Sequence, residues 1–121
     1  MVYCEILQHG RECTVYSLVV DGGCETSDYL DELPDATLGR IQAVIEKLAD
    51  EGFIPNRQKF NRLDTGIYEL KLRKPPVRLF CFQGGPDWIC THGERKPGKR
   101  ELQSHIAKVK ALRERYLREN R

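Results

Sequence analysis

Six of the seven cations and the one histidine in a stretch of twenty-nine residues stand out: Lys71, Arg73, Arg78, His92, Arg95, Lys96 and Lys99. Lys and Arg in such number suit one reaction class well. RNA carries its own nucleophile, the 2′-hydroxyl. Cleavage then needs a base for the hydroxyl proton, cations for the crowded phosphate charge and an acid for the leaving oxygen. The same residues have a plainer reading. A single Lys or Arg on a strand is ordinarily a solvated side chain, and a histidine at a strand end is more often structural. The chemistry requires the cluster to converge in space, which spacing does not settle. No carboxylate pair, phosphate loop, nucleophile elbow or metal-binding helix motif competes for the assignment.

These residues must be positioned by a sheet. Residues 67–73, 77–82 and 88–92 read as three strands, with Pro75-Pro76 turning the first into the second and residues 83–87 the second into the third. Alternation places Tyr68, Leu70 and Leu72 on one face of the first strand, and Ile67, Glu69, Lys71 and Arg73 on the other. Pairing Phe82 with Trp88 sets Cys81 opposite Ile89 and Phe80 opposite Cys90, so the two cysteines are expected on opposite faces. Upstream, residues 14–20 form a β-branched and aromatic strand ending at Asp21-Gly22-Gly23, with residues 3–7 as its hairpin partner. Residues 26–33 and 35–51 form a helical hairpin. Its second helix, with Asp35 as the expected cap, carries Leu38, Ile41, Val44, Ile45 and Leu48 on one stripe, and Gly52 is the expected left-handed terminator. After a basic loop over 93–100, Leu102, Ile106, Val109, Leu112 and Tyr116 mark one face of a terminal helix over 101–118. The other faces of that helix are basic; they fit a solvated surface, a partner surface or an RNA-facing surface equally well.

The 121 residues fit one domain, with residues 1–13 as an added N-terminal strand. No apolar run is long enough to cross a bilayer and no signal peptide is visible, so a cytoplasmic protein without a membrane partner is expected. The five cysteines are odd in number, with no two separated by only two residues, so neither a disulfide framework nor a metal site is expected. Net charge is +2, but residues 1–54 carry three basic and eleven acidic residues, and residues 55–121 seventeen basic and seven acidic. Such asymmetry points to a polyanionic partner; packing of the two halves against each other is the alternative.

The stretches Gly66-Ile67-Tyr68-Glu69-Leu70-Lys71, Val77-Arg78-Leu79-Phe80, Ile89-Cys90-Thr91-His92-Gly93 and Arg95-Lys96, followed by the Glu101-Leu102 helix, resemble the phage-derived and HigB-like branch of the RelE/ParE toxins. The resemblance covers roughly residues 14–118. It implies an α+β, RelE-like fold: a helical hairpin on a small, twisted, mainly antiparallel sheet, with a C-terminal helix. It also implies the toxin of a type II toxin–antitoxin system that cuts mRNA on the ribosome by 2′-hydroxyl attack, without metal or other cofactor. A cognate antitoxin, of helix-turn-helix type, would be the partner. Lys71, Arg73, Arg78, Arg95 and Lys96 would serve as catalytic cations and His92 as the acid/base, with Lys99, Arg100, Lys108 and Arg113 along the RNA. The sequence departs from the branch in three places. Lys71 stands where Arg is usual, Glu94 stands where an aromatic usually follows His-Gly, and the link to the last helix is short. A ParE-like gyrase inhibitor without nuclease activity and an inactive antitoxin-binding relative remain as alternatives on the same scaffold.

Overall fold

A computed structural model describes residues 1–95 and 98–120. The elements run β1 (Val2–His9), β2 (Thr14–Val20), α1 (Glu25–Asp31), α2 (Asp35–Glu51), β3 (Phe60–Asp64), β4 (Ile67–Leu72), β5 (Val77–Gly84), β6 (Asp87–Glu94) and α3 (Lys99–Glu119). The six strands form one sheet in the order β1-β2-β6-β5-β4-β3. Every neighbour is antiparallel except β2 and β6, whose parallel pairing the chain reaches by the long excursion through α1, α2 and β3 to β5. The mixed α+β architecture, the helical hairpin and the terminal helix agree with the sequence reading.

The sheet separates two apolar clusters, because alternate residues of each strand point to opposite faces. On one face Val15, Leu70, Leu72, Val77, Leu79, Cys81, Trp88 and Cys90 pack with Ile41, Val44, Ile45 and Leu48 of α2. On the other, Leu18, Ile67, Phe80, Phe82 and Ile89 pack with Ile106 and Val109 of α3. The apolar stripes read from spacing in α2 and α3 are thus the buried ones. Gly52 ends α2 at φ 77°, and its N–H donates to the Leu48 carbonyl. Asp35 is the first helical residue rather than the cap, a position held by Pro34.

Three further expectations are corrected. Residues 60–64 form an edge strand, β3, that pairs with β4. β6 runs on through Gly93 and Glu94, where the sequence pattern suggests a loop. The β5–β6 register is shifted by one residue: Gln83, not Phe82, faces Trp88, and Cys81 lies directly opposite Cys90. The cause is the tightness of the turn. Gly84 pairs with Asp87, so only Gly85 and Pro86 form the loop, and Gly85 takes φ 63°. A one-residue slip moves every side chain to the other face. The two cysteines therefore share a face; both are free and fully buried.

Candidate functional site

The end of the sheet where β4 passes into β5 gathers the strand cations. Lys71 is the cross-strand partner of Arg78, and both side chains lie on the α3 face. With Arg73 and Gln58 they line an open cleft of about 230 Å³. α3 packs its apolar stripe on Phe80 and Phe82 of β5 on this face, while the cleft is lined from β4, the β4–β5 turn, β5 and the segment before β3.

Arg78 is held in place. Its Nε donates to Glu69 Oε1 at 2.9 Å, and its Nη1 donates to the carbonyls of Leu72 and Val77, both at 3.2 Å. The other Glu69 oxygen accepts from Asn61 Nδ2 of β3 at 3.0 Å. Glu69 and Arg78 sit on one diagonal of the β4–β5 ladder, so the strand register itself brings acid and guanidinium together. Both side chains are largely buried, at 6% and 13% exposure. A charge taken out of water in this way is tolerated because it is paired and hydrogen-bonded. Among the described residues neither Lys71 nor Arg73 takes part in an ion pair, so their charges face the cleft. One carboxylate against three cations leaves an excess of positive charge suited to a phosphate group.

The remaining predicted residues do not all join this cluster. Arg95 lines a second, larger cleft of about 480 Å³ between the α1–α2 turn and the β4–β5 turn, with Tyr29, Leu33, Pro34, Pro75 and Pro76 among its walls. Lys96 lies outside the described residues. Lys99 and Arg100 are exposed at the start of α3. Lys108 is paired to Glu25 of α1 at 2.7 Å, and Arg113 donates to the Thr65 carbonyl at 3.0 Å, which ties α3 to the β3–β4 turn. The Lys108–Glu25 pair and the pair of Arg115 with Asp21 direct part of the charge asymmetry into packing the basic helix against acidic residues nearer the N-terminus.

His92 is buried, at 2% exposure. Its ring stacks on Phe80 with centroids 4.9 Å apart. Its Nδ1 is 2.8 Å from Thr91 Oγ1 and its Nε2 is 2.9 Å from His105 Nδ1. Burial pushes its pKa down to about 3, and the nearby Lys108 and His105 add to the shift. A β-bulge aims the ring this way. Phe80 pairs with His92 and Cys81 with Cys90, so Thr91 is the extra residue and His92 turns to the α3 face.

His105, which the sequence reading passed over as one polar residue of a helix, lies above His92. It stacks on Phe80 at 4.9 Å and lies edge to edge with His92, centroids 5.0 Å apart, with its Nε2 3.8 Å from Glu94 Oε2. Its side chain retains 19% exposure, so this ring, and not His92, reaches the surface. The only sequence signal was that His105 precedes Ile106 on the buried stripe of α3. Gly93 is required beside this column: a Cβ there would sit 2.1 Å from the Tyr29 ring, whose hydroxyl donates to the Glu94 carbonyl at 3.1 Å.

Among the described residues no cluster of three potential ligands that could hold a metal ion is found, and no helix is long and apolar enough to cross a membrane. No curated protein matches the chain significantly. The family model described as "Phage derived protein Gp49-like (DUF891)" matches residues 28–114, which run from α1 through the whole β3–β6 meander and most of α3. The chain that presents Lys71, Arg73 and Arg78 at one end of its sheet belongs to this phage-derived, Gp49-like family.

Proposed function

We propose that this protein is a RelE/HigB-type toxin that cleaves mRNA on the ribosome by 2′-hydroxyl attack. The observation that carries the reading is the convergence of Lys71, Arg73 and Arg78 on one open cleft, with Arg78 fixed by Glu69. The resemblance to RelE-type toxins, set out above from residues 66–102, supplies the reaction class. The 2′-oxygen attacks its own phosphorus, the P–O5′ bond breaks, and a 2′,3′-cyclic phosphate and a 5′-hydroxyl result. Negative charge on the phosphoryl oxygens rises in the transition state. Cations preorganised around that position stabilise it without moving, which is the most effective form of electrostatic catalysis.

Arg78, locked by three hydrogen bonds, fixes where the phosphate sits. Lys71 and Arg73 add charge on its exposed sides. Arg95, Lys99 and Arg100 extend positive charge along the neighbouring surface, where they meet flanking phosphates of a single strand. The partners are mRNA in the ribosome and a cognate antitoxin of helix-turn-helix type, and the compartment is the cytoplasm.

The test is incubation of the purified chain with ribosomes carrying a defined mRNA, followed by 5′-end mapping. The reading requires new 5′ ends on the ribosome-bound message and few on the same RNA free in solution. Growth arrest with intact mRNA and inhibited gyrase would replace this reading with the ParE-like one.

A further inference from the structure

We propose that His105 is the catalytic base of this site and that His92 is its positioning residue, the two forming with Thr91 a hydrogen-bonded column that aims His105 Nε2 at the substrate. The proposal rests on the nuclease reading above.

The argument begins with hydrogen-bond capacity. A neutral imidazole has one N–H and one acceptor nitrogen. His92 has two neighbours, Thr91 Oγ1 at its Nδ1 and His105 Nδ1 at its Nε2. Thr91 Oγ1 also approaches the Phe80 carbonyl at 3.5 Å, which gives its hydroxyl proton an acceptor. That oxygen is then free to accept from His92 Nδ1–H. His92 Nε2 is left as an acceptor, and it takes the proton of His105 Nδ1–H. In the proposed column the donors run in one direction: His105 to His92 to Thr91, whose hydroxyl faces the Phe80 carbonyl. Its effect is to hold the proton of neutral His105 on Nδ1 and leave Nε2 with an open lone pair. A partner on one ring nitrogen commonly sets the work of the other.

Stacking fixes the plane as well as the tautomer. His92 and His105 lie edge to edge, each against the Phe80 ring, with interplanar angles of 12–29° among the three. His92 is too deeply buried to meet a substrate, whereas the edge of His105 is exposed. Phe80 lies two residues along β5 from Arg78 on the same face, about 7 Å by strand rise. Glu94, close to His105 Nε2, is the cross-strand partner of Arg78. A ribose whose phosphate rests at Arg78 can therefore present its 2′-hydroxyl on the His105 side. The titratable groups around His105 are Glu94 and the neutral His92 of β6 and, one turn along α3, Lys108, itself paired to Glu25 of α1. Glu94 supports the imidazolium formed when Nε2 takes a proton.

The step balances without another reagent class. The 2′-hydroxyl proton passes to His105 Nε2 as the 2′-oxygen bonds to phosphorus and P–O5′ breaks. The 5′-oxygen takes a proton from water, and the resulting hydroxide recovers the proton from His105.

Two measurements test the proposal on the full chain. The first is nitrogen-15 imidazole NMR above pH 8. The wild type is expected to show neutral His105 as the Nδ1–H tautomer, and His92→Phe, which keeps the stack, to return it to Nε2–H. The second is single-turnover cleavage across pH. His105→Gln should lower the rate about 10²–10³-fold at neutral pH and remove the acidic limb of the profile, with RNA binding and melting temperature retained. His92→Phe should move that limb while leaving a substantial rate. An Nε2–H tautomer in the wild type overturns the column. An unchanged profile in His105→Gln overturns the base. A wild type that shows the Nδ1–H tautomer yet cuts no RNA overturns the nuclease reading and the base together, and leaves the column standing.

Discussion

Glu69 Oε1 accepts from Arg78 Nε at 2.9 Å beneath the basic cleft, and this pair joins the stability of the sheet to the geometry of the site. Removing the acid leaves a guanidinium largely buried without its counter-charge. Glu69→Ala is expected to destabilise the fold by about 3 kcal/mol, in the range for breaking a buried ion pair. Glu69→Gln keeps one acceptor and should cost less. Urea unfolding of the three proteins checks this order, and equal stability of all three would show that the pair does not carry the load assigned to it.

His92 makes stability depend on pH. Its folded pKa, about 3, lies below the ordinary value of 6.5, so between these values the unfolded chain binds the proton and the folded chain does not. Stability is therefore full above about pH 6.5 and is lost as pH falls through that window. His92→Phe removes this contribution. The loss in unfolding free energy from pH 7 to pH 4 should be smaller in the variant, as read by denaturant titration at each pH.

Gly93 lies against the Tyr29 ring, with no room for a β-carbon. Gly93→Ala must push the ring away and break its bond to the Glu94 carbonyl. Overpacking of this kind costs roughly 1–3 kcal/mol. The melting temperature should fall, and Gly93→Ala should cost less in a Tyr29→Ala background than in the wild type.

Much of this arrangement could be read from residue order, and the parts that could not have local physical causes. The α2 and α3 stripes follow 3.6-residue periodicity and are buried as expected. The strand β4 announces itself by alternation, which also places Lys71 beside Glu69. β3 was missed because Phe60-Asn61-Arg62-Leu63-Asp64 has no β-branched residue; its pairing is imposed by β4 and by the stack of Phe60 on Tyr68. The β5–β6 register depended on whether the turn used two residues or more, and composition did not decide that. The bulge at Thr91 has no sequence mark at all, yet it turns His92 towards His105. Convergence of Lys71, Arg73 and Arg78 was a requirement of the chemistry rather than a consequence of spacing. Arg95, expected with them, faces another cleft because β6 runs two residues further than its apolar pattern suggests.

Cys81 and Cys90 face each other in the core, and burial raises the Cys81 thiol well above its usual range. Neither should react with a thiol reagent in the native protein at pH 8, while Cys24, which is partly exposed, should. Mass mapping after brief alkylation distinguishes them, and labelling of Cys81 before unfolding would contradict the packing of this face.

The central claim is that the cleft of Lys71, Arg73 and Arg78 stabilises a phosphoryl transition state, and the double substitution Lys71→Ala/Arg73→Ala tests it most directly. Both side chains lie at or near the surface, so folding should be retained, which a thermal melt confirms. Single-turnover cleavage of ribosome-bound mRNA should fall at least 10²–10³-fold, the loss expected for one preorganised donor. Lys47→Ala, on α2 across the sheet from the cleft, should leave the rate unchanged. Cleavage and growth arrest that survive the double substitution in a folded protein would contradict the account.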